Sequence, residues 1–326
     1  MSSQLKQREA SVYGDDLYLK PEKEPFKTKL KRFAFNPENG AIFGRTPSSW
    51  GKIGLFYLIF YIVLATMFAC LLWLFSLTLD PRIPKWRLDE SIIGTNPGLG
   101  FRPMPNDSNS LSTLIWYKGT RRQDYEYWVE SLREFLDVYR IPGKTPGRGQ
   151  NIYKCDFHQF PPRGKVCDID VRLWDPCTFE NTYNYHLQKP CIFLKVNKIY
   201  DWVPDYYKNV SDLPERMPDS LKAHIQNEFD LGGAARLNQV WLSCQGESPA
   251  DVENIGEVKY YPGPGFPGYF FPFENSEGYL SPLVAVQFTR PRTGILINIE
   301  CRAWAHNIKY DRKERIGSVH FELMID

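Results

Sequence analysis

Two groups of side chains could carry chemistry in this sequence: the carboxylates of Asp168 and Asp170, and six cysteines in the C-terminal three-quarters of the chain. Asp168-Ile169-Asp170 has the spacing by which many type II glycosyltransferases hold a divalent metal on a sugar nucleotide, and oxygen ligands suit such a metal. The bland alternative puts the pair in a strand over 166–173, where alternation sends both carboxylates to one solvated face. Asp-x-Asp arises often by chance, so the solvated face is preferred. Asp201 and Asp205 likewise read as solvated turn residues. No Gly-rich loop precedes a Lys-Ser/Thr pair, and neither His-Glu-x-x-His nor Gly-x-Ser-x-Gly occurs. The five histidines, His158, His186, His224, His306 and His320, are scattered. No catalytic residue, metal ligand or cofactor site is assigned.

The cysteines point to stapling rather than catalysis. Of seven, Cys70 lies inside a long apolar run, and Cys155, Cys167, Cys177, Cys191, Cys244 and Cys301 all follow it. An even number confined to one side reads as three disulfides in an oxidising compartment, with fifteen connectivities open. The sequons at Asn106 and Asn209 fall on the same side, as expected of a glycosylated region.

The element that sorts these residues is the run over 53–79, about 27 residues without a charge and long enough to cross a ~30 Å hydrocarbon core with some tilt. Lipid offers the backbone no partners, so the run must be helical. It starts too far into the chain, and is too long, to be a cleaved signal peptide. Basic residues before it (Lys20, Lys23, Lys27, Lys29, Lys31, Arg32, Arg45, Lys52) outnumber those just after it (Arg82, Lys85, Arg87). The expectation is a signal-anchor: 1–52 a cytosolic tail, 53–79 the span, 80–326 an extracellular region, a single-pass type II protein. Within the span Tyr57, Phe60, Tyr61, Leu64 and Phe68 share one helical face. Tyr61 lies roughly 12 Å into the run, where a phenol hydroxyl needs a partner that lipid tails do not supply. A packed protein helix is therefore expected on that face in preference to lipid, which surrounds the rest.

Residues 1–35 read as a solvated tail and 80–105 as an extended stalk rich in Pro and Gly. An amphipathic helix is predicted over 124–139, with Tyr125, Trp128, Val129, Leu132, Phe135, Leu136 and Tyr139 on one stripe, and a shorter helix from Asp219 or Ser220. Strands are predicted at 114–117, 166–173, 191–195, 239–244, 258–261, 284–288, 294–303 and 318–325. The fold class that follows is a single transmembrane α-helix plus a mainly-β ectodomain, an antiparallel sandwich with helical insertions and disulfide staples. The aromatic- and proline-rich stretch from Tyr260 to Pro272 reads equally as a rigid structured loop or a binding surface. A net charge of +2 gives no reason to expect a nucleic-acid partner.

Several stretches together resemble one family. They are Phe35-Asn36-Pro37-Glu38, Gly44-Arg45-Thr46 with Ser49-Trp50, Phe56-Tyr57-Leu58-Ile59-Phe60-Tyr61, and Pro97-Gly98-Leu99-Gly100-Phe101-Arg102-Pro103. Tyr260-Tyr261-Pro262, Tyr279-Leu280-Ser281-Pro282-Leu283 and Ile299-Glu300-Cys301-Arg302-Ala303 continue the series in order along nearly the whole chain. The sequence resembles the β subunits of Na⁺/K⁺-transporting P-type ATPases, a design shared with the gastric H⁺/K⁺ pump. The resemblance implies an immunoglobulin-like ectodomain. It also implies a non-catalytic role in a heterodimer with the catalytic α subunit: support of its folding and delivery to the plasma membrane, and modulation of potassium affinity. It implies that Tyr57, Phe60 and Tyr61 face an α-subunit helix, and that cysteines pair in chain order as Cys155–Cys167, Cys177–Cys191 and Cys244–Cys301. The other classes weighed are a type II membrane glycosyltransferase-like enzyme resting on Asp168 and Asp170, and a cell-adhesion glycoprotein.

Overall fold

The computed structural model describes residues 25–105 and 112–326, which fall into two units divided after Leu79. In the first unit, helix α1 (Phe26–Ala34) leads into a two-residue antiparallel ladder between Phe35–Asn36 and Ala41–Ile42. Helix α2 (Pro47–Leu77, 31 residues) follows. Its first residue is a proline, whose missing N–H is lost at a position that has no intrahelical acceptor anyway. It begins six residues before the apolar run because helical hydrogen bonding does not depend on side-chain hydropathy. Among the described residues it is the one helix long and apolar enough to cross a membrane. The part of the expected solvated tail that forms α1 is a correction: Phe26, Leu30 and Phe33 recur at helical spacing among lysines.

Among the described residues of the second unit, two larger sheets are built from nine strands: β1 (Leu99–Arg102), β2 (Leu114–Tyr117), β3 (Cys191–Val196), β4 (Gln239–Gly246), β5 (Val258–Tyr261), β6 (Gly265–Pro267), β7 (Leu283–Phe288), β8 (Leu296–Trp304) and β9 (Ser318–Ile325), while Ile152–Tyr153 and Val166–Cys167 form a separate two-residue parallel pair. One sheet runs β6-β4-β8-β9-β2, antiparallel except for the parallel β9–β2 pair. The other runs β1-β3-β7-β5 and is wholly antiparallel. Side chains from both close the interior: Phe321 of β9 lies 5.0 Å from Phe101 of β1 and 6.2 Å from Phe288 of β7, centroid to centroid. β3 and β7, the two central strands of their sheet, are apolar except for Lys195 and Gln287 and are buried at every position but Lys195.

Three departures from the sequence expectations have physical reasons. The stalk contains β1, with Leu99 and Phe101 buried; two inward side chains among prolines and glycines are too few to show a period. The strand expected over 166–173 is only Val166–Cys167, followed by a 3₁₀ turn at Val171–Leu173 that the Asp170 carboxylate caps through the Arg172 N–H. The strand expected over 318–325 forms as β9, but Val319, which alternation would place inward with Phe321, Leu323 and Ile325, is half-buried while His320 is buried, so regular alternation starts at Phe321. The amphipathic helix is α3 (Arg122–Arg140) and buries Trp128, Val129, Leu132, Leu136 and Tyr139, its ends fixed by Trp128 Nε1 donating to the Trp116 carbonyl and Tyr139 Oη to the Ser281 carbonyl. Helix α4 (Asp219–Gly232) starts after Pro218, with Leu221 and Ile225 inward.

The disulfides are Cys155–Cys167, Cys177–Cys191 and Cys244–Cys301. Cys244 and Cys301 sit directly opposite each other on adjacent strands β4 and β8, with Cα atoms 4.0 Å apart, so this bond staples one sheet to itself. An immunoglobulin domain places its central disulfide between sheets. Here no disulfide joins the sheets, which are held by side-chain packing and by contacts such as the Cys244 N–H to the Tyr260 hydroxyl, and the disulfide preserves register within one of them.

Helix α5 (Pro249–Ile255) is fastened to the same sheet by Asp251. Its carboxylate accepts from the Ser248 hydroxyl and N–H and from the Asn298 N–H of β8. Helix and strand approach so closely that a Cβ on Gly246 would meet the α5 backbone at 2.3 Å. Burial alone would raise the Asp251 pKa, but these hydrogen bonds hold it below the usual carboxylate value of 3.8. A depressed folded-state pKa means that the stabilisation is present above the unfolded value and is lost as pH falls through the folded one. Asp251→Ala is expected to cost on the order of 1–3 kcal/mol at neutral pH. Urea midpoints of the variant and the parent should converge as the medium is acidified below the carboxylate range; a gap that stays constant into strong acid would contradict this.

Sequence separations of 12, 14 and 57 residues rank the disulfides. Loop-closure entropy gives about 3 kcal/mol for each short loop and about 4 for the long one. Paired Cys→Ala replacement at 244 and 301 should therefore lower the urea midpoint of the detergent-solubilised chain more than replacement at 155 and 167. The reverse order would show that chain entropy is not the controlling factor.

Candidate functional site

The apolar run over 53–79 carries five hydroxyl-bearing side chains, four on α2 and Thr78 at its C-terminal cap, and they divide into two kinds. Thr66, Ser76 and Thr78 are short, and each donates back to its own helix, to the carbonyls of Ile62, Leu72 and Phe75 at 2.8, 2.8 and 2.7 Å. Tyr57 and Tyr61 hold their hydroxyls at the end of a ring, beyond reach of the local backbone. Neither has a hydrogen-bond partner among the described residues. Their rings stack 6.2 Å apart along the helix, beside a second stacked pair, Phe56 and Phe60, at 6.3 Å. Edge-to-face contacts of 5.5 Å (Phe56–Tyr57) and 5.4 Å (Phe60–Tyr61) join the two rows. The result is a preformed aromatic plate about one helical turn tall, with polar tips at one edge and rings that already restrict one another. Cys70, further along the helix, is a free thiol.

In the second unit the candidate carboxylates are not brought together. Asp168 accepts from Nη2 of Arg148 at 2.8 Å, and Asp170 takes both Nε and Nη2 of Arg172 at 2.7 and 2.8 Å. The Arg172 hydrogen bonds hold the Asp170 carboxyl below its usual range. Each carboxylate thus faces its own cation, and no group of three metal-ligating side chains occurs among the described residues. Arg148, by contrast, was not singled out by the sequence. It is fully buried, and its Nη1 donates to the Gly278 carbonyl at 3.2 Å. Gly278 has φ +86° and lies so close that a Cβ there would meet Arg148 Cα at 2.6 Å. Arg148 therefore ties the 148–151 turn, the Cys167–Asp168 corner and the loop before β7 into one cluster. A buried arginine gives no pattern in a sequence, because its partners are far along the chain.

The aromatic stretch after Tyr260 is largely structural. Phe266 and Phe270 are buried, β6 pairs with β4, and Tyr260 accepts the Cys244 N–H through its hydroxyl at 2.8 Å. Between Tyr260–Pro264, α4 and the outer edge of β4 a cleft of about 640 Å³ remains open, lined also by His224 and Ser243. Asn209 is exposed at the start of a short 3₁₀ turn (Val210–Asp212), whereas Asn106 lies outside the described residues.

The family model described as the sodium/potassium ATPase beta chain matches residues 20–321. This chain belongs to that family. It is 60% identical over 309 residues, 95% of each chain, to the sodium/potassium-transporting ATPase subunit beta-2 of Drosophila melanogaster. Identity is 43% to subunit beta-1 of the same fly, over 92% of this chain and 94% of the relative. It is 27% to subunit beta-2 of Homo sapiens, over 91% and 93%. The family fits a chain with one membrane-crossing helix and a mainly-β, disulfide-bonded region after it.

Because Arg148 is buried and, among the described residues, forms its ion pair with Asp168, Asp168→Ala is expected to act on stability. The loss should be on the order of 1–3 kcal/mol, read as a lower urea midpoint, while manganese or magnesium leaves the melting of parent and variant unchanged. A metal-dependent rise in the parent, absent from the variant, would reinstate the metal reading of this pair.

Proposed function

We propose that this chain is the non-catalytic accessory subunit of a sodium/potassium pump, docked on the catalytic α subunit through the Tyr57, Phe60 and Tyr61 face of α2. The carrying observation is the pair of phenol hydroxyls without partners, among the described residues, in an apolar run whose other hydroxyls, Thr66, Ser76 and Thr78, are satisfied. Leaving such a group in hydrocarbon costs several kcal/mol, and the nearest remedy is an acceptor on a neighbouring membrane helix. One span cannot enclose an ion path, so the transport chemistry belongs to the partner. The basic residues before α2 and the disulfides after it favour a cytosolic N-terminus and an extracellular ectodomain at the plasma membrane, with Asn209 and Asn106 as glycan acceptors. A large, stapled ectodomain beside the pump is suited to supporting the folding and delivery of the α subunit and to shifting its potassium affinity. The cleft beside Tyr260 and Tyr261 is the natural place for an extracellular loop of that subunit.

Loss of one interhelical hydrogen bond in a membrane is worth roughly 0.6–2 kcal/mol. Tyr57→Phe/Tyr61→Phe keeps both rings and removes only the hydroxyls. Co-expressed with the α subunit and purified in mild detergent, it should dissociate on the order of tenfold more readily than the parent. Undiminished recovery of the complex would remove the hydroxyls from the interface. Recovery of the parent chain alone, with no pump polypeptide, would overturn the function itself.

A further inference from the structure

Helix α1 is exposed on every side, yet it is amphipathic. Phe26, Leu30 and Phe33 lie at i, i+4 and i+7 on one face and are 79%, 56% and 55% exposed, while Lys27, Lys29 and Lys31 flank them. Thr28 is on the opposite face. The helix is fastened close to the start of α2. The carbonyls of Phe33 and Ala34 accept the N–H groups of Gly44 and Phe43, and the Phe33 and Phe43 rings meet edge to face at 6.1 Å. Trp50, in the first turn of α2, donates its indole N–H to the Ile42 carbonyl at 2.9 Å. Gly44 stands three residues before Pro47, and six helical residues, about 9 Å of rise, separate Pro47 from the apolar run at Ile53. The fastening therefore keeps the C-terminal end of α1 beside the start of α2, close to where the apolar run would enter a bilayer. Phe35, Ile42 and Phe43 are exposed beside it and extend the apolar face.

We propose that α1 is an interfacial anchor: its Phe26, Leu30 and Phe33 face enters the headgroup–acyl boundary, and its lysines engage anionic phospholipid headgroups. Two observations select lipid as the occupant, the charge of the flanking residues and the fixed distance to the membrane-crossing helix. Hydrophobic residues at this spacing with lysines at the flanks are the pattern of helices that lie in the membrane plane. The choice of anionic lipid rests on the cytosolic placement of the N-terminus, since that leaflet carries the negative surface potential. An anchor here would limit the tilt and rotation of α2, and so fix the direction in which the Tyr57–Tyr61 plate faces.

The test uses the full-length chain in vesicles of phosphatidylcholine with or without phosphatidylserine. A spin label is placed at Leu30→Cys or Thr28→Cys in a Cys70→Ala background, and depth is read from collisions with oxygen against a water-soluble nickel chelate. With phosphatidylserine present, the label at 30 should be immersed and the label at 28 should remain in water. Each lysine near an anionic surface is worth roughly fivefold, so Lys27→Gln/Lys29→Gln/Lys31→Gln should lower the immersion equilibrium on the order of a hundredfold. Equal water exposure at 28 and 30 would overturn the proposal. So would immersion unaffected by removing phosphatidylserine and the lysines together. Shielding of position 30 only when a multi-span pump polypeptide is co-reconstituted would give the face to protein and overturn it as well. These vesicles carry the same lipid in both leaflets, so the depth result does not depend on orientation. Labelling of Thr28→Cys by an impermeant reagent outside intact cells would refute the cytosolic placement independently.

Discussion

A hydrocarbon layer supplies no hydrogen-bond partners, and this single fact governs how the chain is arranged. It forces the apolar run into a helix, and it sorts the hydroxyls of that helix. Thr66 and Ser76 return to their own i−4 carbonyls and can face lipid without cost. Tyr57 and Tyr61 cannot do this. Their stacking with each other, alongside Phe56 and Phe60, holds them in a shape that a neighbouring helix would meet already formed. Preorganised rings lose little conformational freedom on docking, so a modest number of contacts suffices.

The ectodomain follows a different constraint. Its two sheets are joined by packing between aromatic residues such as Phe101, Phe288 and Phe321, and no disulfide crosses that interface. The covalent bonds themselves lie in the core, with Cys167, Cys177, Cys191, Cys244 and Cys301 buried and Cys155 partly so. Cys155–Cys167 closes the irregular stretch beside Arg148, and Cys177–Cys191 secures the loop entering β3. Cys244–Cys301 fixes register where β4 leaves its partner β6 and its outer edge faces the cleft. Without that bond the outer half of β4 would depend on the β8 ladder, on Tyr260 and on the packing of α5.

Much of this was legible in the residues. Long elements stand out: α3 and β8 because burial of one face imposes a period, and α2, β3 and β7 because they are apolar along most of their length. The tyrosines of α2 could be singled out from depth alone. Elements made of a few residues could not: α1 and β1 each carry only two or three inward or apolar positions, diluted by lysines or by glycine and proline. Asp168 and Asp170 looked alike in sequence, yet the chain turns between them and gives each a different arginine. That turn depends on Arg148 and Gly278, more than a hundred residues apart, a contact with no local signature.

The central claim is that the tyrosine-bearing face of α2 is covered by a protein helix. A photo-activatable cross-linker placed at position 61 of the full-length chain in native membranes tests it most directly, with position 63 on another face as the control. The account expects position 61 to yield a discrete adduct with a large multi-span polypeptide and position 63 to yield lipid adducts. Lipid adducts alone from position 61, in a membrane where the pump still works, would contradict it.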